Sequence, residues 1–351
     1  MKKKILVINQ YKSDNLGDKL LNKCLCDRIK EYGFEVINLG YAQTINQDVS
    51  YNCVKSNFVR EIIYSLFPER LKYLFKYRIR LINESNTIDS KEIGAMVIGG
   101  GQLLKHDSVF YDCLKYWTNW AKKNNLYLCL FGIGIDTNIS MNEINKYKSL
   151  LNEFNFINCR DSETLNFLRN KLNLKNVYNS PDIAFTLNKP KNIKKNNTVV
   201  VMPYSYGKAK SAFTLNQSKE MYYEEILNKF QNNVLNRKVI LCATTTTDAM
   251  ECFNYQKYLE SKNINSTVEK VDTIQNLIEI ISKADFIITG RMHAMIIACV
   301  VNTEVIPICI SNKIKQFTHE FLNDDGFQTD TIKESRKGVF EMIDKIEEGC
   351  K

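Results

Sequence analysis

The sequence predicts an α/β protein built from two Rossmann-like parallel-sheet domains facing an interdomain cleft, and three observations carry that expectation. Short apolar runs that read as buried strands alternate with helical stretches along the chain. Nearly every one of these runs ends in a glycine-rich or polar turn. The alternation breaks once, where 188–197 is rich in Lys, Asn and Pro without apolar periodicity, and then restarts. At 351 residues the chain is too long for one ordinary core and suits two domains of roughly 150–190 residues each. The expected boundaries are an N-terminal domain over 1–188, a linker over 189–197, a C-terminal domain over 198–332 and a terminal helix over 333–351.

The elements follow in order. Lys3 to Asn9 is a continuous apolar strand that ends in the polar loop Gln10 to Asp18. Leu20, Leu21, Cys24, Leu25 and Ile29 then recur at helical spacing, and Gly33 to Leu39 begins a second strand, so the chain opens with a β-α-β unit. Between Phe58 and Ile82, Arg60, Arg70, Lys72, Lys76, Arg78 and Arg80 are interleaved with aromatic and aliphatic residues. Such a segment suits either an insertion helix packing one apolar face on the domain or a helix lying on anionic lipid. Ala95 to Ile98 is a strand running to Gly99-Gly100-Gly101, and Trp117 to Lys123 closes a helix. Leu126 to Phe131 is a strand running to Gly132-Ile133-Gly134, and Phe156 to Cys159 a short one leading to Arg160-Asp161-Ser162 and a helix to Lys171.

Beyond the linker, Thr198 to Met202 is a strand, Glu220 to Leu235 a helix and Lys238 to Cys242 a strand. A helix from Phe253 to Lys262, the strand Ser266 to Val268 and a helix from Ile274 to Ala284 follow. Asp285 to Thr289 is a buried strand whose turn, Gly290-Arg291-Met292-His293, enters an apolar helix. Val305 to Ile310 is the last strand, and Lys333 to Glu348 a terminal amphipathic helix.

Composition narrows the function classes. Hydrophobic residues at 44% and charged ones at 25% are globular values. The formal net charge of +9 is spread along the chain and favours an anionic partner, whether phosphate, nucleotide or lipid surface. No recognition helix, zinc pattern or aromatic RNA motif is present, so a nucleic acid is not expected. Eleven cysteines without a C-x-x-C pair read as small buried residues in a reducing compartment, and three His without a cluster give no reason to expect a metal. The apolar run Ile5 to Ile8 is too short for a signal-peptide core, and Leu126 to Ile135 is far short of a membrane span. The expected location is the cytoplasm, with at most a peripheral contact at the inner face of the membrane.

Arg291 and His293 stand at a strand-to-helix turn, where open α/β sheets bind ligands. There is no G-x-G-x-x-G at the first helix and no G-x-x-x-x-G-K-[ST] anywhere, which argues against a dinucleotide and a P-loop. Asp14-Asn15-Leu16-Gly17-Asp18 stands at the first turn instead: Asn15 or Asp14 can cap the helix, Gly17 lets the backbone approach a ligand, and Asp18 suits the positive helix end. Gly99-Gly100-Gly101 exposes backbone N–H groups or only turns the chain.

Asn15-Leu16-Gly17-Asp18, Gly99-Gly100-Gly101, Gly132-Ile133-Gly134, Arg160-Asp161-Ser162, Pro181-Asp182-Ile183-Ala184-Phe185 and Gly290-Arg291-Met292-His293 occur in this order over essentially the whole chain. The series resembles the polysaccharide pyruvyl transferase family. Ile306 to Ile314, with Lys313, is similar to that family's last strand and Lys-containing turn. Two positions depart from the pattern: Glu304 replaces a glycine, and Ile135-Asp136 replaces the commoner proline.

The resemblance implies a GT-B-like fold and transfer of pyruvate from phosphoenolpyruvate, as co-substrate, onto a saccharide acceptor as a ketal, at a cell-surface polysaccharide or its lipid-linked precursor. No cofactor or metal is implied. Arg291 would bind the donor's anionic groups, with Lys313 as a second cation, and His293 would move protons. Asp18 joins Arg291 and His293 as catalytic, and with Asn15 it would orient acceptor hydroxyls from the opposite wall. Gly17, Gly100, Gly101, His106 and Arg160 would line the substrate site. Arg160-Asp161 reads equally as a structural ion pair, and His319 as a structural residue. A nucleotide-sugar glycosyltransferase of the same fold is the alternative, and a membrane scaffold without activity a third possibility.

Overall fold

Runs of Ile, Val and Leu without polar alternation pair here as parallel strands buried on both faces, as their composition requires. A computed structural model of the protein describes residues 4–40, 69–104, 108–135, 139, 141–213, 216–233, 237–322 and 330–350. The chain forms two compact units, the first comprising 1–13, 21–183 and 333–351, the second 14–20 and 184–332.

In the first unit, β1 (Lys4–Asn9), β2 (Glu35–Gly40), β3 (Ile93–Leu104), β4 (Tyr127–Ile135), β5 (Phe156–Cys159) and β6 (Val177–Asn179) form one sheet in the order β2-β1-β3-β4-β5-β6. Its helices are α1 (Leu16–Glu31), of which the first residues belong to the second unit, α2 (Glu69–Asn86), α3 (Ser108–Lys123), α4 (Met141–Leu151) and α5 (Ser162–Asn166). The order reverses between β1 and β3, and ligands of such sheets sit at that point, beyond the strands' carboxyl ends. The short β6 is an element the sequence reading does not contain.

Two glycine stretches behave differently from the expected turns. β3 runs on through Gly99-Gly100-Gly101 to Leu104, and β4 through Gly132-Ile133-Gly134 to Ile135, with Gly101 pairing Ile133 and Gln102 pairing Gly134. Gly100 and Gly101 adopt φ of +81° and +94°, so the strand bends there without ending.

The basic segment 58–82 is described only from residue 69 on; 58–68 lies outside the described residues. In α2, Tyr77 and Leu81 are buried in the core that includes Leu114 and Trp117, which is the packing expected of an insertion helix. The same helix leaves Ile79 and Ile82 exposed.

In the second unit, β7 (Thr198–Met202), β8 (Lys238–Leu241), β9 (Ser266–Val268), β10 (Phe286–Thr289) and β11 (Glu304–Pro307) give the order β11-β10-β7-β8-β9. This is the Rossmann order, with its reversal between β7 and β10. The helices are α6 (Tyr206–Phe213), α7 (Lys219–Asn228), α8 (Thr246–Ser261), α9 (Ile274–Lys283), α10 (Met292–Val301) and α11 (Asn312–Phe321). α10 is buried from Ala294 to its end, which is why its sequence is apolar all round. It stops at Asn302, whose φ of 58° is a left-handed cap.

The stretch 189–197 has neither helix nor strand. It is pinned to the second unit by Lys195, whose Nζ donates to the Ala284 carbonyl at 2.6 Å and to Thr303 Oγ1 at 2.7 Å. The terminal helix α12 (Asp330–Gly349) returns from Lys333 onward to the first unit. Val339, Met342, Ile343 and Ile346 form its buried stripe, and Ser335 donates to the Asp182 carbonyl at 3.0 Å. Among the described residues no helix is long and apolar enough to cross a membrane.

Candidate functional site

The turns after β7 and β10 meet at the reversal point of the second sheet, and the sequence arms them differently. After β10, Gly290 lies against the last strand's end, where a Cβ would meet the Ile308 carbonyl at 3.2 Å. Arg291 then occupies the N-cap of α10, and its own side chain makes no capping hydrogen bond there. After β7, Tyr204 turns its ring under the Arg291 guanidinium, with Cζ 4.0 Å from the ring centroid. That distance is a stacked cation–π contact. Burial holds the Tyr204 hydroxyl above its ordinary pKa, and the nearby guanidinium offsets this in part.

The guanidinium is also held from the side. Its Nε and Nη2 reach Asp248 Oδ2 at 2.6 and 2.5 Å, and Nη2 lies 3.5 Å from Thr245 Oγ1. Asp248 itself is 1% exposed, and its Oδ1 accepts the Ser205 amide at 3.0 Å. The neighbouring Tyr206 amide goes to Glu251 at 2.8 Å. The first strand-to-helix turn of this sheet, where dinucleotide-binding units offer amides to a pyrophosphate, is therefore closed by the protein's own carboxylates.

Asp248, Thr245 and Tyr204 are residues that the motif series does not reveal. A signal existed: Thr245-x-x-Asp248 directly after a strand is a helix-start pattern, and Thr245 Oγ1 does accept the Asp248 amide at 3.3 Å. It places the start of α8 well before Phe253, where apolar periodicity begins.

The stretch Asp14 to Leu20, a turn and the start of α1, belongs to the same unit as Arg291 and His293. The sequence places Asn15 to Asp18 on the wall opposite His293, and the structure corrects this. Asp14 Oδ2 accepts from Thr246 Oγ1 at 2.7 Å and from its amide at 3.3 Å, and the Leu16 amide donates to the Thr244 carbonyl at 2.9 Å. These bonds seat Gly17 against His293: a methyl group at 17 would overlap Nδ1, meet Cγ at 3.0 Å and meet Asn15 Oδ1 at 3.2 Å. Asn15 Oδ1 accepts the Gly17 amide at 3.0 Å, and its carbonyl accepts the Asp18 amide at 3.1 Å. Asp18 lies half-buried in the first turn of α1. Asp18, Asn15, Gly17, Arg291 and His293 thus share one unit, and so does Lys313, half-buried at the start of α11.

Gly100, Gly101 and Arg160 belong to the first unit. At that sheet's own reversal point, the Nδ2 of Asn9 is 3.5 Å from where a Gly100 Cβ would be. Asn9 is 2% exposed, and its Oδ1 has no hydrogen-bond partner among the described residues. Arg160 is committed elsewhere: Nη1 pairs with Asp182 Oδ2 at 3.1 Å, with side-chain exposures of 4% and 6%. Asp161 caps α5 through the Thr164 amide. Removing Arg160 would strand a buried carboxylate, so Arg160→Ala should cost about 3–5 kcal/mol in denaturant unfolding. His106 lies outside the described residues, as does Asp136. No group of His, Cys, Asp and Glu arranged to hold a metal occurs among the described residues. The buried thiols are inert, burial pushing that of Cys299 in α10 up to about 12.

The sequence matches the polysaccharide pyruvyl transferase family over residues 15–312. No curated protein matches. Solved structures show the same fold at low identity. The UDP-GlcNAc 2-epimerase of Methanocaldococcus jannaschii is 11% identical with a TM-score of 0.56, covering 98% of this chain and 99% of that one. HepE of Anabaena, in complex with UDP and glucose, is 11% identical with a TM-score of 0.52, covering 99% and 92%. The Neisseria meningitidis UDP-GlcNAc 2-epimerase bound to UDP-GlcNAc is 10% identical with a TM-score of 0.50, covering 99% and 94%. These likenesses concern the GT-B fold.

Proposed function

Since the chain belongs to the polysaccharide pyruvyl transferase family, we propose that it transfers pyruvate from phosphoenolpyruvate to two hydroxyls of a saccharide acceptor, forming a ketal and releasing phosphate. The observation that carries this reading is a guanidinium fixed over Tyr204 at the reversal point of a parallel sheet, with an imidazole two residues on. The donor brings a carboxylate and a phosphate, and Arg291 with Lys313 answers them. One acceptor hydroxyl adds to C2 while its methylene carbon gains a proton. The second hydroxyl then displaces phosphate, and its proton leaves with that group. His293 is the residue to deliver and remove these protons, and such groups contribute about 10²–10⁴-fold in rate. Asp18 and Asn15 orient the acceptor beside it.

Family membership supports a polysaccharide acceptor. The lipid-linked form of that acceptor, and work at the inner face of the membrane, are part of the proposal. They draw on the net charge of +9 and on the exposed Ile79 and Ile82 of α2.

Incubation with phosphoenolpyruvate and lipid-linked saccharides should release one phosphate per acceptor and add the mass of pyruvate less one water. Two of the solved structures of like fold hold UDP with glucose or UDP-GlcNAc, and a nucleotide-sugar donor is the competing reading. Protection against thermal unfolding by UDP-sugars and not by phosphoenolpyruvate would reverse the assignment. Vesicles of anionic lipid should sediment the protein at low salt and release it at high salt, whereas neutral vesicles should not bind it.

A further inference from the structure

We propose that Asp248 is a positioning residue that decides which edge of Arg291 faces the donor; this rests on the reading of Arg291 as the donor's cation. A guanidinium has two edges able to grip an oxyanion with paired N–H groups: the side edge, Nε with Nη2, and the end edge, Nη1 with Nη2. Asp248 Oδ2 takes the side edge at 2.6 and 2.5 Å. The end edge is left for a carboxylate or phosphate, with only the long contact from Nη2 to Thr245 Oγ1, 3.5 Å, beside it.

Two features make this arrangement more than a surface ion pair. Asp248 is 1% exposed and is fixed independently of Arg291, by its place in the first turn of α8 and by the Ser205 amide at 3.0 Å. Below the guanidinium, the Tyr204 ring at 4.0 Å prevents tilting. A carboxylate beside an anion site lowers its attraction for anions, so it works against simple donor affinity. What it offers in return is a cation whose direction is set before the substrate arrives, and misplacement by about 1 Å costs on the order of 10²-fold in rate.

Asp248→Asn keeps the shape and an oxygen for Ser205 while removing the charge that anchors the fork. The freed guanidinium still attracts the donor but no longer holds it in line. The expected result is a kcat at least tenfold lower, with KM for phosphoenolpyruvate unchanged within twofold or lower. In an Arg291→Ala background the same substitution should change kcat less than twofold, because Asp248 acts through Arg291. Wild-type kcat in Asp248→Asn, or losses that multiply in the double variant, would overturn the proposal.

Should the variants not fold, the wild-type protein decides by nitrogen-15 NMR of its arginines, with Arg291 assigned from the spectrum of Arg291→Lys. On titration with phosphoenolpyruvate, the Nη signals should move and the Nε signal should stay. A larger movement of Nε rejects the assignment. Absence of donor turnover by the wild-type enzyme speaks against the proposed function alone, and the same titration with inorganic phosphate then tests the edge.

Discussion

Alanine at position 17 should lower kcat by about 10²-fold while leaving the protein folded, since misplacing a catalytic group by about 1 Å costs that much. The added methyl group has nowhere to go except into Nδ1 and Cγ of His293 and Oδ1 of Asn15. The backbone beneath cannot retreat, because Leu16 is bonded to Thr244 and Asp14 to Thr246. The imidazole is the part that yields. Overpacking of this kind costs about 1–3 kcal/mol, which unfolding measurements will register as a modest loss. Gly207→Ala is the control: a Cβ there meets nothing within 4 Å, and activity should be unchanged. His293→Gln should lose about 10²–10⁴-fold in kcat. Combining it with Gly17→Ala should add little, because both act on one ring. Full activity in Gly17→Ala would show that His293 has no part in the chemistry.

Arg291→Ala is expected to damage both activity and stability. With the guanidinium gone, the carboxylate of Asp248 stays buried without its counter-charge, and removing one partner of such a pair costs about 3–5 kcal/mol. The lower end applies here, because Arg291 keeps 20% of its side chain exposed and water can enter the space it leaves. Donor affinity should fall at least tenfold, as expected for losing a charge-assisted contact of about 1.5–3 kcal/mol. Adding Asp248→Asn should restore much of the lost stability without restoring affinity. Arg291→Lys keeps the charge and loses the fork, so it should retain more of the stability than of the activity. Denaturant midpoints and phosphoenolpyruvate titrations on the three variants separate the two effects.

The expected turns at Gly99-Gly100-Gly101 and Gly132-Ile133-Gly134 show why some of the fold is hidden from the sequence. Glycine at a strand's end signals a break, yet β3 and β4 continue because each is the other's neighbour and their ladder extends to Leu104 and Ile135. Position 14–18 is a similar case. Its capping chemistry is local and was visible, whereas its docking on Thr244 and Thr246 spans 232 positions for Asp14. No pattern within the loop encodes that contact. Asp248 is harder still: Thr245-x-x-Asp248 marks a helix start, but the charge of Asp248 looks like any acidic residue favouring that helix end. Its pairing with Arg291 depends on β10 lying beside β7 with β8 on the other side.

What the sequence determined by itself is the set of strands apart from β6, the parallel α/β class, the family, and the turn that carries Arg291 and His293. Each follows from local physics: uninterrupted apolar runs must be buried on both faces, and a cation and an imidazole ahead of a buried helix stand at the sheet's carboxyl edge. The tertiary structure alone decided that Gly17 packs on His293, that Arg291 rests on Tyr204 with its side edge on Asp248, and that Arg160 serves Asp182. The reason is that these contacts join residues whose separation along the chain is fixed by strand order, and strand order is a property of the whole sheet.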